Sequence, residues 1–268
     1  MRERVVIKWG GGLITQKQTL KAVRTDILDR LTKQLETVLA HGIDVILVHG
    51  AGSFGHLKAK QYRLAEGKIP SQQLPTGMTQ EDAVQEVRRD MLELNDAVMQ
   101  ALTRHDITAV SLPPHHWAKN TGPTFLGSLD FFENAPQGIV LVTHGDVVDC
   151  DDEREFGILS GDDIVVRLAV EISGVKRLVF AMGGVEGVLS HPPQHPLHSL
   201  VEILHESDFF QGEHSADVDV TGGIGLKVSR GFLVQRHGVE VSLVSGEHDH
   251  RVADACLGLP VRGTKLQS

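Results

Sequence analysis

The chain has 268 residues, 41% of them hydrophobic, enough to bury a large core in one two-lobed α/β unit. Its formal charge of −9 is spread over mixed acidic and basic segments, which excludes a generic phosphate-backbone binder: no nucleic-acid partner is expected, and any anion must be met locally. Cys150 and Cys256 lie far apart with neither CxxC spacing nor a disulfide framework; no leader is expected, and no run of about 18 apolar residues occurs, so a reducing cytoplasm without membrane attachment is the expected setting.

Residues 4–9 form a short apolar run halted by Gly10, Gly11 and Gly12, the pattern of a buried parallel strand ending in a tight turn. A helix is expected next: Thr25 is placed to cap it, and Ile27, Leu28, Leu31, Leu35, Val38 and Leu39 recur at helical spacing up to His41 and Gly42. Residues 44–48 repeat the apolar run, end at His49 and meet Gly50, Gly52 and Gly55, ahead of another helix. Residues 79–104 predict a long helix with Val84, Val87, Met91, Leu94, Val98 and Leu102 on one stripe. Strands are expected at 107–112 and 139–143, separated by a loop over 113–130 that carries His115, His116 and Trp117.

A hairpin is expected over 147–158 with the acidic stretch 150–155 at its tip, then a helix over 162–172 capped by Ser160, then a strand at 178–182 entering Gly183 and Gly184. After a loop over 190–198, a helix at 223–236 passes into a strand at 239–244. Strands alternating with helices predict an α/β fold whose open, mainly parallel sheet is covered on both faces.

In such sheets ligands sit beyond the carboxyl ends of strands, and three of those ends carry glycines: 10–12, 50–55 and 183–184. Glycine lets backbone N–H groups approach phosphate oxygens closely, and a helix start just beyond adds a favourable dipole. One such turn is as often a plain strand-to-helix connection. Three together, with Lys8 and His56 flanking two of them, point to a phosphate site. GxxxxGK[ST] does not occur, and residues 50–55 lack GxGxxG spacing, so a kinase here is not of the Walker type.

KWGGGLITQK (8–17), HGAGSFGH (49–56), SGDD (160–163), TGGIGLK (221–227) and RGTKL (262–266) resemble, in order along nearly the whole chain, the segments of isopentenyl phosphate kinases within the amino acid kinase family. The resemblance implies a three-layer αβα sandwich, an acceptor-binding lobe over about 1–175, an ATP-binding lobe over about 176–268, and a homodimer. It implies that Lys8 and Lys227 hold ATP phosphates, that Gly10, Gly11, Gly12 and Gly52 line the transfer site, and that Lys17 stabilises the migrating group. It further implies that Ala51, Gly52, Gly55, His56 and Gly161 contact the acceptor, that Asp162 orients the lysines, and that Gly183, Gly184, Gly187 and Gly223 belong to the nucleotide site, with RGTKL as a closing strand. Two departures stand out: Gly12 where relatives carry serine, and AMGGVEG (181–187) where the family has T-D-V-D-G, so that Gly183 and Gly184 replace Thr and Asp.

Phosphoryl transfer asks mostly for alignment and positive charge. A phosphate monoester is already an anionic nucleophile, with a second pKa of about 6, and needs no general base; Lys8, Lys17, Lys227 and His56 suit that chemistry. Mg²⁺ is expected to be held chiefly by the nucleotide phosphates, without a dedicated protein ligand set, although Asp162 and Asp163 are also capable of binding it. The loop histidines 191, 195 and 198 lack structural-zinc spacing and are read as surface. A fosfomycin kinase is the nearest rival; kinases of carboxylates need cationic contacts that the apolar stripe of 79–104 does not offer; a non-catalytic nucleotide sensor is the alternative of a different class. Which of Leu57, Tyr62, Leu64, Met78, Val84 and Met91 closes the acceptor pocket stays open.

Overall fold

The computed structural model describes residues 2–16, 19–71, 74–75, 77–191, 196–211 and 223–268. Strands are β1 Arg4–Trp9, β2 Asp44–His49, β3 Ala109–Ser111, β4 Val140–His144, β5 Asp146–Asp149, β6 Phe156–Leu159, β7 Val175–Met182, β8 Ile203–His205, β9 Glu240–Ser245 and β10 Gly263–Gln267. Helices are α1 Gly11–Ile14, α2 Thr25–Ala40, α3 Gly52–Gln61, α4 Gln80–Arg104, α5 Asp130–Glu133, α6 Gly161–Glu171, α7 Glu206–Gln211, α8 Ile224–Gln235 and α9 Arg251–Leu257.

The eight-stranded sheet runs β3-β4-β2-β1-β7-β9-β10-β8, parallel throughout except for the β9–β10 pair. β5 and β6 form the expected antiparallel hairpin, pairing Asp146 with Leu159 and Asp149 with Phe156. Apolar alternation along β1 shows how one strand serves two layers. Val5, Ile7 and Trp9 enter the core shared with α2, α4 and α9, whereas Val6 enters the core shared with α6 and α8 and Lys8 shares that second face. This is the three-layer αβα sandwich expected from the sequence, and chain order reverses at β1, whose neighbours are β2 on one side and β7 on the other. A ligand crevice is expected at that reversal, beyond the strands' carboxyl ends.

Several boundaries moved for identifiable reasons. Thr25 is the first residue of α2 rather than its cap; Arg24 precedes it without a side-chain cap bond. Thr79 does cap α4, its hydroxyl accepting from the Asp82 amide, and Ser160 caps α6 by accepting from Asp163. β3 is only three residues long, being an edge strand paired on one side to β4. Most of 113–130 is irregular, with one 3₁₀ turn at Pro114–His116. β8, α7 and α9 were not expected from the sequence; α9 begins after His250 at φ +70 with no side-chain cap. Among the described residues no helix is long and apolar enough to cross a membrane.

Candidate active site

The first glycine turn lies between the other two. A Cβ on Gly50 would stand 2.6 Å from the Gly11 nitrogen, one on Gly52 would stand 2.6 Å from the Gly11 carbonyl oxygen, and one on Gly11 would overlap the Gly52 nitrogen. On the other side, a Cβ on Gly183 would lie 2.9 Å from the Leu13 Cα and 3.1 Å from the Gly12 oxygen. Backbone reaches backbone at both seams, which only glycine permits. The same contact explains one departure from the family pattern: a threonine at 183 has no room here.

Thr15, fully buried, stitches the first seam. Its hydroxyl donates to the Gly11 carbonyl at 2.8 Å and accepts from the Ser53 amide at 3.0 Å. Gly52 is held at φ +50 beside it, a left-handed conformation that suits glycine. Thr15→Val keeps the shape but strands a buried N–H, and should destabilise the fold by about 3 kcal/mol, read from urea unfolding. A change below about 1 kcal/mol would show that the turns hold each other without the hydroxyl.

Beneath the first turn the charged groups converge. Lys8 Nζ donates to Asp162 Oδ1, and Lys227 Nζ, from α8, donates to Oδ2 of the same carboxylate at 3.1 Å. Burial opposes the charge on Asp162, yet the two lysines outweigh it and hold the carboxyl below the ordinary aspartate range. Burial also dominates at Lys8, pulling its ammonium down to about 8 against the attraction of Asp162 and with the repulsion of Lys227. The neighbouring Asp163 accepts from Arg230 Nε at 2.6 Å and from the Ser160 hydroxyl at 2.8 Å. Both aspartates of SGDD therefore tie α6 to α8, an arrangement in which Arg230 was not anticipated. Gly161 fits the same seam, a Cβ there falling 3.1 Å from Lys8 Cε.

The remaining expected residues are placed as follows. His56 is half-buried on α3, the helix that starts at the second turn. Ala51 immediately precedes α3, and Gly55 lets that helix close on α4, a Cβ there meeting Met91 Sδ at 3.4 Å and Val87 Cγ1 at 3.8 Å. Gly223 sits at the N-cap of α8, and among the described residues nothing lies within 4 Å of where its Cβ would be. Gly184, at φ +78, donates its N–H to Glu247 Oε2 at 3.1 Å, and Glu247 Oε1 in turn accepts from Arg24 at 2.8 Å. Gly187 stands apart from the turns, packed where a Cβ would lie 2.6 Å from Thr264 Oγ1. Lys17, Thr221, Gly222 and His195 lie outside the described residues.

Three strand-end glycine turns thus meet beside two lysines that share one carboxylate, with no Walker loop. The chain belongs to the amino acid kinase family, which it matches over residues 3–245. It is similar to the isopentenyl phosphate kinase of Methanocaldococcus jannaschii, 28% identical over 97% of both chains, and to that of Thermoplasma acidophilum, 30% identical over 93% of this chain and 95% of the relative. A solved isopentenyl phosphate kinase superposes with a TM-score of 0.80 at 25% identity, covering 99% of this chain and 100% of the other. The T. acidophilum isopentenyl phosphate kinase product complex superposes at 0.74 with 26% identity, covering 98% of this chain and 99% of the other. A UMP kinase from Bacillus anthracis, at 16% identity and a TM-score of 0.64, shares the fold.

Proposed function

We propose that the chain transfers the γ-phosphoryl group of ATP to isopentenyl phosphate, forming the diphosphate. The carrying observation is the contact between the first glycine turn, backed by Lys8, Asp162 and Lys227, and the HGAGSFGH turn that leads to His56. The residues fit a nucleotide triphosphate with Mg²⁺: two ammonium groups share one carboxylate, and the N-terminus of α8, with glycine at its cap, adds its dipole. Mg²⁺, when bound with the nucleotide, supplies charge neutralisation to the phosphates.

Lys8 and Lys227 hold phosphate oxygens, Asp162 fixes the spacing of the two ammonium groups, and the glycine amides face the migrating group. Lys17 stabilises that group in flight, and His56 donates to a non-attacking acceptor oxygen. No proton has to be removed from a phosphate acceptor, and the carboxylates on the neighbouring face of α4 are engaged elsewhere. Asp90 and Glu93 each receive Lys21 at 2.7 Å, and Glu86 pairs with Lys58. The amino-terminal part, to about residue 175, holds the acceptor, and the remainder holds ATP.

Steady-state ADP release with Mg²⁺ and ATP, run with isopentenyl phosphate, dimethylallyl phosphate, fosfomycin and acetylglutamate, tests the assignment. The expected outcome is a kcat/KM for isopentenyl phosphate at least about tenfold above that for fosfomycin, a margin of about 1.4 kcal/mol in transition-state binding. A preference for fosfomycin would reassign the acceptor, and ATP binding without turnover would make the chain a sensor.

A further inference from the structure

β2 and β4 lie side by side and each ends in a histidine followed by a glycine. His49 and His144 are partners in the parallel register, both are fully buried, and their rings lie 5.0 Å apart at 35°. Each ring turns Nδ1 toward the carbonyl oxygen of its own following glycine, His49 to Gly50 at 3.2 Å and His144 to Gly145 at 3.0 Å. A carbonyl oxygen only accepts, so both Nδ1 atoms are the protonated ones. The His49 Nε2 lies 3.2 Å from Asn95 Oδ1, and Asn95 Nδ2 donates to Ser111 Oγ at 2.7 Å; turning the amide over exchanges the two atoms without moving any other group. With Nδ1 protonated, ring and amide satisfy one another when the NH₂ group faces Nε2 and the amide oxygen faces the Ser111 hydroxyl.

The two glycines so held are those that touch the site. Gly50 abuts Gly11, and Ala51 N lies 3.0 Å from where a Cβ on Gly11 would be. In a planar trans peptide the N–H points opposite to the C=O. An imidazole holding the Gly50 carbonyl therefore turns the Ala51 N–H away from the ring. Gly145 abuts the start of α6, a Cβ there falling 3.1 Å from the Gly161 nitrogen, next to Asp162.

We propose that His49 and His144 are paired positioning residues, each donating Nδ1–H to the carbonyl of the glycine after it: His49 sets the Gly50–Ala51 peptide against the first glycine turn, and His144 sets Gly145 against the start of α6. Neutrality is a condition of the arrangement, since two stacked imidazolium ions would repel. Burial enforces it first and the mutual proximity second, pushing His49 down to about 3, with Lys8 acting in the same direction. Burial likewise lowers His144, against the pull of the neighbouring Asp146 carboxylate and with the help of His115. The Asp146 carboxylate is itself occupied, accepting from His115 Nδ1 at 2.6 Å and from the Val147 amide at 2.8 Å. His144 Nε2 has no partner among the described residues, as expected of a ring whose one proton is committed at Nδ1.

The kinetic part of the proposal rests on the phosphoryl-transfer reading above, and the tautomers do not. Long-range ¹H–¹⁵N correlation spectra of the histidine-labelled full chain should show two rings as Nδ1–H tautomers, with His49 neutral from about pH 8 to about pH 5 and His144 charging only below the ordinary histidine range. An Nε2–H tautomer at either position, or titration of either ring near the ordinary value of about 6.5, overturns the proposal. In kinetics, His49→Asn places an N–H close to the lost Nδ1, whereas His49→Gln places it near Nε2. The asparagine variant should stay within about threefold of the unmodified chain in kcat/KM for isopentenyl phosphate. The glutamine variant should lose about thirtyfold, chiefly through acceptor KM, with the KM for ATP moved less than about twofold. Equal losses in both variants, or losses confined to thermal stability, count against positioning. An unmodified chain inactive on isopentenyl phosphate but carrying both tautomers would sink the acceptor assignment while supporting the histidine pair.

Discussion

Asp162→Asn should lower kcat/KM by about a thousandfold at pH 8 in a protein whose circular dichroism is unchanged, and activity should return in part as the pH is lowered from about 9 toward 6.5. The carboxylate is the shared acceptor for Lys8 and Lys227, so its amide cannot hold two ammonium groups at their present spacing. It is also the main influence keeping Lys8 charged against burial, and Lys8 already stands at about 8. Without Asp162, burial and Lys227 are opposed only by the weaker attraction of Asp163, and the pKa of Lys8 falls further. At pH 8 the variant then presents a neutral amine to the phosphates, and acidification restores the ammonium. The unmodified protein, by the same reasoning, should be level from about pH 7, above the acceptor phosphate's second pKa of about 6, to about pH 8 and lose kcat/KM above it. A variant whose loss is the same at every pH would mean that geometry alone, and not the charge of Lys8, was disturbed.

His56 offers the second large effect. His56→Ala should cost about a hundredfold in kcat/KM for isopentenyl phosphate, the scale of removing one oxyanion donor, while His56→Gln should retain most of the activity. A phosphate acceptor has no proton for His56 to abstract, so its contribution is donation to a non-attacking oxygen, fixing the line of attack. Glutamine donates but does not accept a proton at neutral pH. The position is suitable for substitution: His56 is half-buried on the outer part of α3, whereas the tight approach to α4 is made by Gly55. Near-total loss in both folded variants would instead indicate a general base and a hydroxyl-bearing acceptor.

What the sequence disclosed followed from burial. β1, β2 and β7 are covered on both faces, so they read as unbroken apolar runs ending at glycine, and their turns were found at once. Edge strand β3 is paired on one side only, and its residues are half-exposed or exposed; the apolar run over 107–112 therefore overstated it. β8 has three residues with only Leu204 buried, and α9 lacks a capping side chain, so neither leaves a periodic signal. Single residues were legible where a motif carried them, as with Lys8, Asp162 and Lys227. Thr15, Glu247 and Arg230 were not singled out, because each acts through a partner distant in sequence: Ser53, Gly184 and Asp163. His115 was read as plain loop, yet it holds the buried carboxylate of Asp146. The neighbour that makes it structural sits on a different strand.

The central place of β1 also governs when the site comes into being. Arg4 pairs with Asp44 on one side and with Val175 on the other, so β1, which precedes β7 by most of the sheet in chain order, waits for β7 before both its edges are closed. Pairing across so long an intervening segment spends loop-closure entropy before any contact repays it. The seam between Gly10 and Ala181, where the Gly10 amide donates at 2.9 Å, is therefore expected to close late in folding. Until it closes, a growing chain carries an apolar strand with one open edge, the feature through which nascent sheets recruit the wrong neighbour.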